Sequence, residues 1–366
     1  MRFTISRDML IKPLQTVGGV VEKRQTLPIL ANVLVQVSAG RLSMTGTDLE
    51  VELVASVPLE GAEPGEITLP GRKFMDICRA LPDSAQIDVT VEGDKALIKA
   101  GRSRFTLSTL PANDFPTTEA IKGTFEFELS QGDLKSLIEQ TQFSMANQDV
   151  RYYLNGILLE IENGSIRMVA TDGHRLAMSE LSTELAVGDK RQVIIPRKGV
   201  LELSRLLSTE NTECKVQLNP NHIRITMGDI IFTSKLVDGR FPDYERVIPK
   251  GGDKLVTADR LVLKEGLQRT AILSNEKYRG IRLAFKNNML HASVNNPEHE
   301  EAEDELPVEY AGPELEIGFN VSYVLDVLNV IKQNSVEMLL SDSNSSCLIR
   351  GAGDNASRYV VMPMRL

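Results

Sequence analysis

Apolar residues in this chain come in short alternating runs, interrupted at intervals by a helical stripe. One run shows the pattern: a turn glycine, Gly164, then Ile166, Met168 and Ala170 at every second position, then Thr171 and Asp172. Alternation of this kind predicts a half-buried strand. The same frame stands 124 positions earlier as Gly40, Leu42, Met44, Thr47 and Asp48, and 124 positions later as Asn288, Leu290, Ala292, Asn295 and Asn296. Self-similarity at a fixed interval marks a repeated unit. One domain is written three times.

Three further landmarks keep the register. Each copy opens with a strand that runs into a helix. Phe3, Ile5 and Ser6 lead to Leu10 and Leu14; Phe127, Leu129 and Ser130 lead to Leu134 and Ile138; Val256 leads to Leu261 and Leu267. Pro13 falls inside the first of these helices and predicts a bend there. In mid-copy, Phe74, Ile77, Cys78 and Leu81 follow the i, i+3, i+4, i+7 stripe of an amphipathic helix. The stripe returns as Val200, Leu203, Ser204 and Leu207, and as Val324, Val327, Leu328 and Ile331. Short strands precede the three helices and end at Pro70, Pro196 and Asn320. A closing strand carries Leu107, Thr109, Leu110 and Pro111 in the first copy and Tyr359, Val361, Met362 and Pro363 in the third. Leu236, Phe241 and Pro242 repeat Leu110, Phe115 and Pro116. The Pro-, Gly- and charge-rich stretches after the two Phe-Pro pairs are natural linkers. These landmarks predict an α+β chain of three domains, residues 1–120, 121–250 and 251–366, each with two helices packed on antiparallel sheets of about eight short strands.

Length agrees, since 366 residues exceed one ordinary core. Hydrophobic content of 42% and charged content of 25% are globular values. No run approaches the roughly 18 apolar residues of a membrane span, and the start lacks the apolar core of a secretory signal. Cys78, Cys214 and Cys347 are scattered and odd in number, which argues against a disulfide framework. A cytoplasmic protein without membrane contact is expected.

Sheets must dispose of their edge strands. Three domains in a row leave two terminal edges, and joining the free ends of two chains predicts a head-to-tail homodimer. The acidic run at 298–305 contains Glu298, Glu300, Glu301 and Glu303, while Arg102 and Arg104 flank Phe105 and Leu107 on an expected edge of the first copy. Such charges would orient the pairing. Exposed ion pairs contribute about 0–1 kcal/mol each, so Ile272 and Leu273, packed against Phe105 and Leu107, are expected to hold it.

A net charge of −9 argues against a simply basic nucleic-acid binder, but local sign matters more than the sum. Cations recur in register: Arg72, Lys73 and Arg79 decorate the first stripe-bearing helix, and Arg197, Lys198 and Arg205 the second. The third has Ser322 and Asn329 there. Lys23 and Arg24 follow the first helix of copy one; Gln148, Arg151, Tyr152 and Tyr153 follow that of copy two. A solvated helix face is the plain explanation. Facing into a ring, the same cations would hold a phosphate backbone without reading bases, in a mobile and salt-sensitive way.

Asp172 and His174 form the carboxylate–imidazole pair that invites a catalytic reading, with Ser179 as a nucleophile for a hydrolase. The Thr-Asp pair recurs at Thr47 and Asp48 without histidine, which favours a turn built by Asp side-chain bonding. His222, His291 and His299 lack zinc-ligand spacing. There is no Walker A loop, GxSxG elbow or strand-following GxGxxG. No catalytic residue, metal or cofactor is expected.

The blocks TLPIL, TGTDLE, SRFTLSTLPANDFP, QDVRYYLNG, ATDGHRLA, IPRKG, FTSKLVDGRFPDY, ILSNEKYRG, IGFNVSYVLDVL and VVMPMRL run in one order along essentially the whole chain. In them the chain resembles the bacterial sliding-clamp family, the DNA polymerase III beta subunits. The resemblance implies three tandem DNA-clamp domains and a head-to-tail homodimeric ring of six domains, with helices lining the hole. It implies a non-catalytic processivity factor that encircles duplex DNA without sequence specificity. A clamp loader would load it, and it would tether the replicative polymerase and other replication and repair proteins through short linear peptides. By similarity, DNA contacts fall on Arg24, Arg72, Gln148, Tyr152 and Tyr153, supported by Lys73, Arg197, Lys198 and Arg205. The resemblance builds the peptide pocket from Leu154, Thr171, Gly173, His174, Arg175, Leu176, Pro242, Arg246 and Val247. Tyr278, Asn320, Tyr323, Ser346, Val360, Val361, Met362, Pro363, Met364, Arg365 and Leu366 complete it. Asn344 stands there where an aliphatic residue is expected. The alternative is a three-domain interaction scaffold that does not encircle DNA.

Overall fold

The computed structural model describes residues 1–21, 27–118 and 125–365. Arg24 and Leu366 therefore lie outside the described residues, as does the expected boundary at 120. Among the described residues each copy has the same ten elements in the same order. The first is β1 (Arg2–Ser6), α1 (Arg7–Gly18), β2 (Asn32–Ser38), β3 (Arg41–Thr47), β4 (Val51–Pro58), β5 (Gly65–Pro70), α2 (Gly71–Ala80), β6 (Gln86–Glu92), β7 (Lys95–Ala100) and β8 (Ser103–Ser108). The second is β9 (Phe125–Ser130), α3 (Gln131–Glu139), β10 (Gly156–Glu162), β11 (Ser165–Thr171), β12 (Arg175–Ser182), β13 (Arg191–Pro196), α4 (Arg197–Leu206), β14 (Glu213–Leu218), β15 (His222–Met227) and β16 (Ile230–Lys235). The third is β17 (Lys254–Asp259), α5 (Arg260–Thr270), β18 (Gly280–Lys286), β19 (Met289–Asn295), β20 (Glu301–Pro307), β21 (Leu315–Asn320), α6 (Val321–Val330), β22 (Ser335–Leu340), β23 (Cys347–Gly351) and β24 (Ser357–Val361).

Local chemistry sets the strand-to-helix steps. The Ser6 hydroxyl accepts from the Met9 N–H at 3.4 Å and the Ser130 hydroxyl from Asp133 at 3.4 Å. Asp259 does the same for Leu261 and Val262, both at 2.9 Å. These side chains satisfy amides that lack a partner in the first turn. The cap at Asp259 also corrects the expected stripe of the third copy. Leu263 and Leu267 are buried, whereas Leu261 is 52% exposed in the first turn.

The chain divides into two compact units that do not coincide with the three copies: Met1–Lys135 with Lys198–Leu236, and Ser136–Arg197 with Val237–Leu366. Each unit holds one eight-stranded and one four-stranded sheet. In the first they run β5-β2-β3-β4-β16-β15-β14-β9 and β1-β6-β7-β8; in the second, β13-β10-β11-β12-β24-β23-β22-β17 and β20-β19-β18-β21. Each larger sheet is a seam, where the fourth strand of one copy pairs antiparallel with the eighth of the next. Leu53 faces Phe232 across β4 and β16, and Ala177 faces Tyr359 across β12 and β24.

In the first unit α1 packs on β3 and β4, burying Leu10, Leu14 and Val17, and α2 buries Phe74 and Cys78. At Gly46 of β3 a Cβ would stand 2.8 Å from the Val17 carbonyl oxygen, so the helix rests directly on the strand. In the second unit α5 and α6 bring Leu263, Leu267, Val324, Val327 and Leu328 onto Phe285, Phe319 and Tyr359. Each buried side chain of this size contributes about 1.5–3 kcal/mol. The three cysteines are buried and free, and burial pushes the Cys78 thiol up to about 12 and Cys214 to about 11.

Two buried glutamates receive the chain where it leaves a copy. The Thr118 N–H donates to Glu52 at 2.7 Å in the first unit, and the Tyr244 hydroxyl donates to Glu160 at 2.8 Å in the second. Burial dominates at Glu52 and raises its pKa above the ordinary 4.5. At Glu160 burial pushes the same way, but bonds from Lys190, Gln192, Tyr244 and Arg167 outweigh it and hold the carboxyl below 4.5. Glu160 therefore adds stability above pH 4.5 that is lost as pH falls through its lowered value, whereas Glu52 subtracts stability increasingly as pH rises above 4.5. Glu160→Ala is expected to cost about 3–5 kcal/mol at pH 7, a deficit that shrinks in acid. Glu52→Gln is expected to raise the thermal midpoint, more so as pH rises. Midpoints recorded against pH check both signs.

Candidate functional site

The turn between β11 and β12 is built by its own side chains. The Thr171 hydroxyl donates to the Arg175 carbonyl at 2.6 Å and accepts from Gly173 N–H at 3.1 Å. One Asp172 oxygen accepts from the His174 and Arg175 amides at 2.9 and 3.0 Å. The first copy repeats this bond for bond: Thr47 donates to the Val51 carbonyl at 2.9 Å, and Asp48 accepts from Glu50 and Val51 at 2.9 and 2.7 Å. In the third copy Asn296 accepts from Glu298 and Glu300 at 3.1 and 3.0 Å, in a turn one residue longer. The other Asp172 oxygen accepts from Arg175 Nε at 3.1 Å. Ser179 is buried against Ser357 at 3.1 Å. Asp172 is thus committed to its turn, and the hydrolase reading has no constellation behind it.

Arg175 fixes this wall in place. Its guanidinium donates to Asp326 of α6 at 2.5 Å and to the Phe143 carbonyl at 2.6 Å, and lies 4.4 Å over the Tyr323 ring. With its side chain only 12% exposed, it is a brace rather than a free contact.

The tail runs on from β24 along this wall. Met362 N–H donates to the His174 carbonyl at 3.0 Å, and Met364 N–H to the Gly318 carbonyl of β21 at 2.8 Å. Leu154, Leu176, Val360 and Val361 are buried, Leu176 and Val360 in the cluster under the linker and Val361 in the core under α5 and α6. Met362, Val247 and Tyr278 are exposed at 42%, 40% and 55%, while Pro363, Met364 and Ser346 are half-buried. Pro242, His174, Gly173 and Arg365 are exposed, and Arg246 pairs with Asp243 at 2.7 Å. Asn320 caps α6 through Ser322 N–H at 2.9 Å. Asn344 stands exposed in the turn held by Asp342 and lines a depression of about 260 Å³ with Met364 and Arg282. The expected pocket residues that are described thus lie in one unit, some buried and some exposed.

The cations sort into two groups. In the first unit Arg72, Lys73 and Arg79 of α2 are exposed. Arg72, Arg79 and Arg205 border a depression of about 380 Å³ with Gln15, Asp76 and Glu202. Arg205 donates to the Thr16 carbonyl at 3.0 Å near the end of α1 and pairs with Glu202 at 2.8 Å. Lys198 pairs with Asp48 at 2.5 Å. In the second unit Arg197 donates to the Met145 carbonyl at 3.2 Å. Arg197, Lys198 and Arg205 thus each make a bond within the fold, and Arg205 stays exposed like the α2 cations. The loop before β10 exposes Gln148, Val150 and Tyr152, whereas Tyr153 packs on the apolar cluster beneath the following linker. Arg151 bonds Asp149 through side chain and backbone and pulls that carboxyl down to about 2.

The expected interface residues lie at two sheet edges. β8 ends its four-stranded sheet and β20 ends the other. Arg102 and Arg104 are exposed by β8, Phe105 is half-buried, and Leu107 is 8% exposed, inside its own core. Glu298, Glu300, Glu301 and Glu303 are exposed, Ile272 is 76% exposed, and Leu273 packs on the core. Sequence reasoning missed Asp326, Phe143, Glu160 and Tyr244. Only Glu160 carried a signal, as a carboxylate inside the apolar run GILLEIE of β10.

Comparison with known proteins covers the whole chain. Residues 1–119, 128–243 and 245–365 match the family models for the N-terminal, central and C-terminal domains of the DNA polymerase III beta subunit. The beta sliding clamp of Pseudomonas aeruginosa is 62% identical over 367 residues, covering 100% of both chains. A crystal structure of the DNA polymerase III subunit beta from the same organism superposes with a TM-score of 0.98 over 100% of both chains. Another, of that organism's sliding clamp bound to griselimycin, gives 0.97 at 62% identity, again over 100% of both chains.

Truncating the brace tests its role. Arg175→Ala leaves one Asp172 oxygen, Asp326 and the Phe143 carbonyl without the guanidinium donor and is expected to cost about 2–3 kcal/mol. Arg72→Ala should stay within about 0.5 kcal/mol. Urea unfolding of both variants gives the comparison.

Proposed function

The chain belongs to the DNA polymerase III beta subunit family and is a DNA sliding clamp, and from that premise we propose how it closes, holds DNA and receives its partners. It is the non-catalytic processivity subunit of a polymerase holoenzyme. We divide it at 120 and 250 into three clamp domains, and the succession of three family models supports the threefold division, with its second change-over at 243–245.

The observation that carries the proposal is the repeated seam. β4 pairs with β16 and β12 with β24, so the unmatched fourth and eighth strands are β20 and β8. Two chains joined head to tail pair β8 of each with β20 of the other and close a ring. Ala302 and Ala177 both pack on the core from their strands. Carrying the register of β12 and β24 across on that match sets Leu107 opposite Ala302 and Arg104 opposite Glu305. Ile272 and Phe105 supply apolar contact, and the charges orient it.

In the closed ring Arg72, Lys73, Gln148 and Tyr152 meet the phosphate backbone. Contacts to phosphate alone carry no sequence information and weaken steeply with salt, which suits sliding. A clamp loader opens the ring, and the polymerase and other replication and repair proteins bind by short peptides along the tail groove. That a relative's sliding clamp binds griselimycin supports a ligand-accepting surface on this fold. The duplex it surrounds places the protein in the cytoplasm, and among the described residues no helix is long and apolar enough to cross a membrane.

A charge swap tests the closure. Arg104→Glu is expected to weaken dimerisation at least tenfold in sedimentation equilibrium, and adding Glu305→Arg in the same chain should restore it. A double variant no tighter than the single one would show that the two edges do not pair in this register.

A further inference from the structure

On β12 successive side chains serve opposite faces of the sheet. Ala177 joins the core under α5 and α6, while Leu176 and Met178 point to the other face. The linker at 237–250 crosses that second face as a strap, packing Val237, Phe241, Tyr244 and Ile248 on Leu158, Val169, Leu176 and Leu348. Its one charged anchor is the bond from the Tyr244 hydroxyl to Glu160, whose side chain is fully buried.

The strap has two sides. Pro242, Arg246 and Val247 border the peptide groove. Elsewhere along it lies a separate cavity of about 520 Å³, within the range of small-molecule sites. Met178, Leu348 and Ile248 give it an apolar floor, and Lys250, Arg350 and Arg358 are among its walls. Arg350 pairs with Glu337 at 2.7 Å, and Arg167, also lining it, pairs with Glu180 at 3.0 Å. Lys250 and Arg358 have no carboxylate partner within ion-pair distance among the described residues, and Glu245 is the lining acid outside those pairs. In a chain of net charge −9 such a cationic rim is a local inversion.

We propose that this cavity binds a small aryl anion, an apolar ring bearing one or two negative charges, and that filling it moves the strap and changes the affinity of the peptide groove. The ring lies on Met178 and Leu348, and the anion meets Lys250 and Arg358. The site stands on its own; the coupling rests on the peptide-groove reading. Such a coupling acts reciprocally, so a peptide in the groove changes the affinity of the cavity by the same factor.

The test titrates 1-naphthyl phosphate into the full chain by calorimetry, then into Lys250→Glu and Arg358→Gln, with thermal midpoints confirming that both fold. Saturable binding that weakens at least tenfold in each variant is expected. Griselimycin affinity, measured with and without saturating naphthyl phosphate, should change at least threefold. Met364→Asp should weaken griselimycin and leave naphthyl phosphate untouched. No saturable binding to the wild type, equal binding to the variants, or one-for-one displacement by griselimycin would overturn the site. An unchanged griselimycin affinity at saturation would overturn the coupling. Failure of griselimycin to bind at all would count against the groove, and the naphthyl phosphate titrations would still decide the cavity.

Discussion

A strand paired on one side only presents a row of unsatisfied N–H and C=O groups, and a β-rich chain must cover or pair every such row. Here the three copies do so by one repeated device. The fourth strand of a copy pairs with the eighth of the next, fusing two four-stranded halves into an eight-stranded sheet. Smaller rows are capped by single bridges, as at Thr68 with Leu110 and Gly318 with Met364. The seam explains why the compact units cut through the second copy instead of following the repeats. It also leaves β8 and β20 as the two edges that a single chain cannot pair by the same device.

The two seams have diverged in use. Both begin at the same Thr-Asp turn, but Gly173 stands at φ +89° where the first copy has Leu49 at +76°. Arg175 and Leu176 replace Val51 and Glu52. At the second seam Arg175 ties the turn to α6, and the tail continues past β24 to β21. At the first seam Lys198 ties up Asp48 instead, and Glu52 receives the departing chain. One piece of topology thus serves as a plain joint in one place and, in the proposed reading, as a docking groove in the other.

Much of this was legible in the sequence because it is local. Alternation, the helical stripes and the Asp172 side-chain turn depend on neighbours a few residues apart. The misses are non-local. Leu261 looked like core because its stripe was counted from the wrong turn, and the Asp259 cap decides the phase. Arg197, Lys198 and Arg205 stand in register with the α2 cations, and their bonds to the Met145 carbonyl, to Asp48 and to the Thr16 carbonyl carried no mark in the sequence. Asp326 and Phe143 lie far from Arg175 along the chain and carried no mark. Lys250 and Arg358 belong to a cavity that exists only once the linker has crossed the sheet.

The central claim is topological: the protein stays on DNA because it surrounds it. The most direct measurement is retention on nicked circular DNA after treatment with a clamp loader, before and after the circle is cut to a linear duplex. Retention on the circle and loss on linearisation is the predicted result. Equal retention on the linear duplex would mean ordinary surface binding and would contradict closure through β8 and β20.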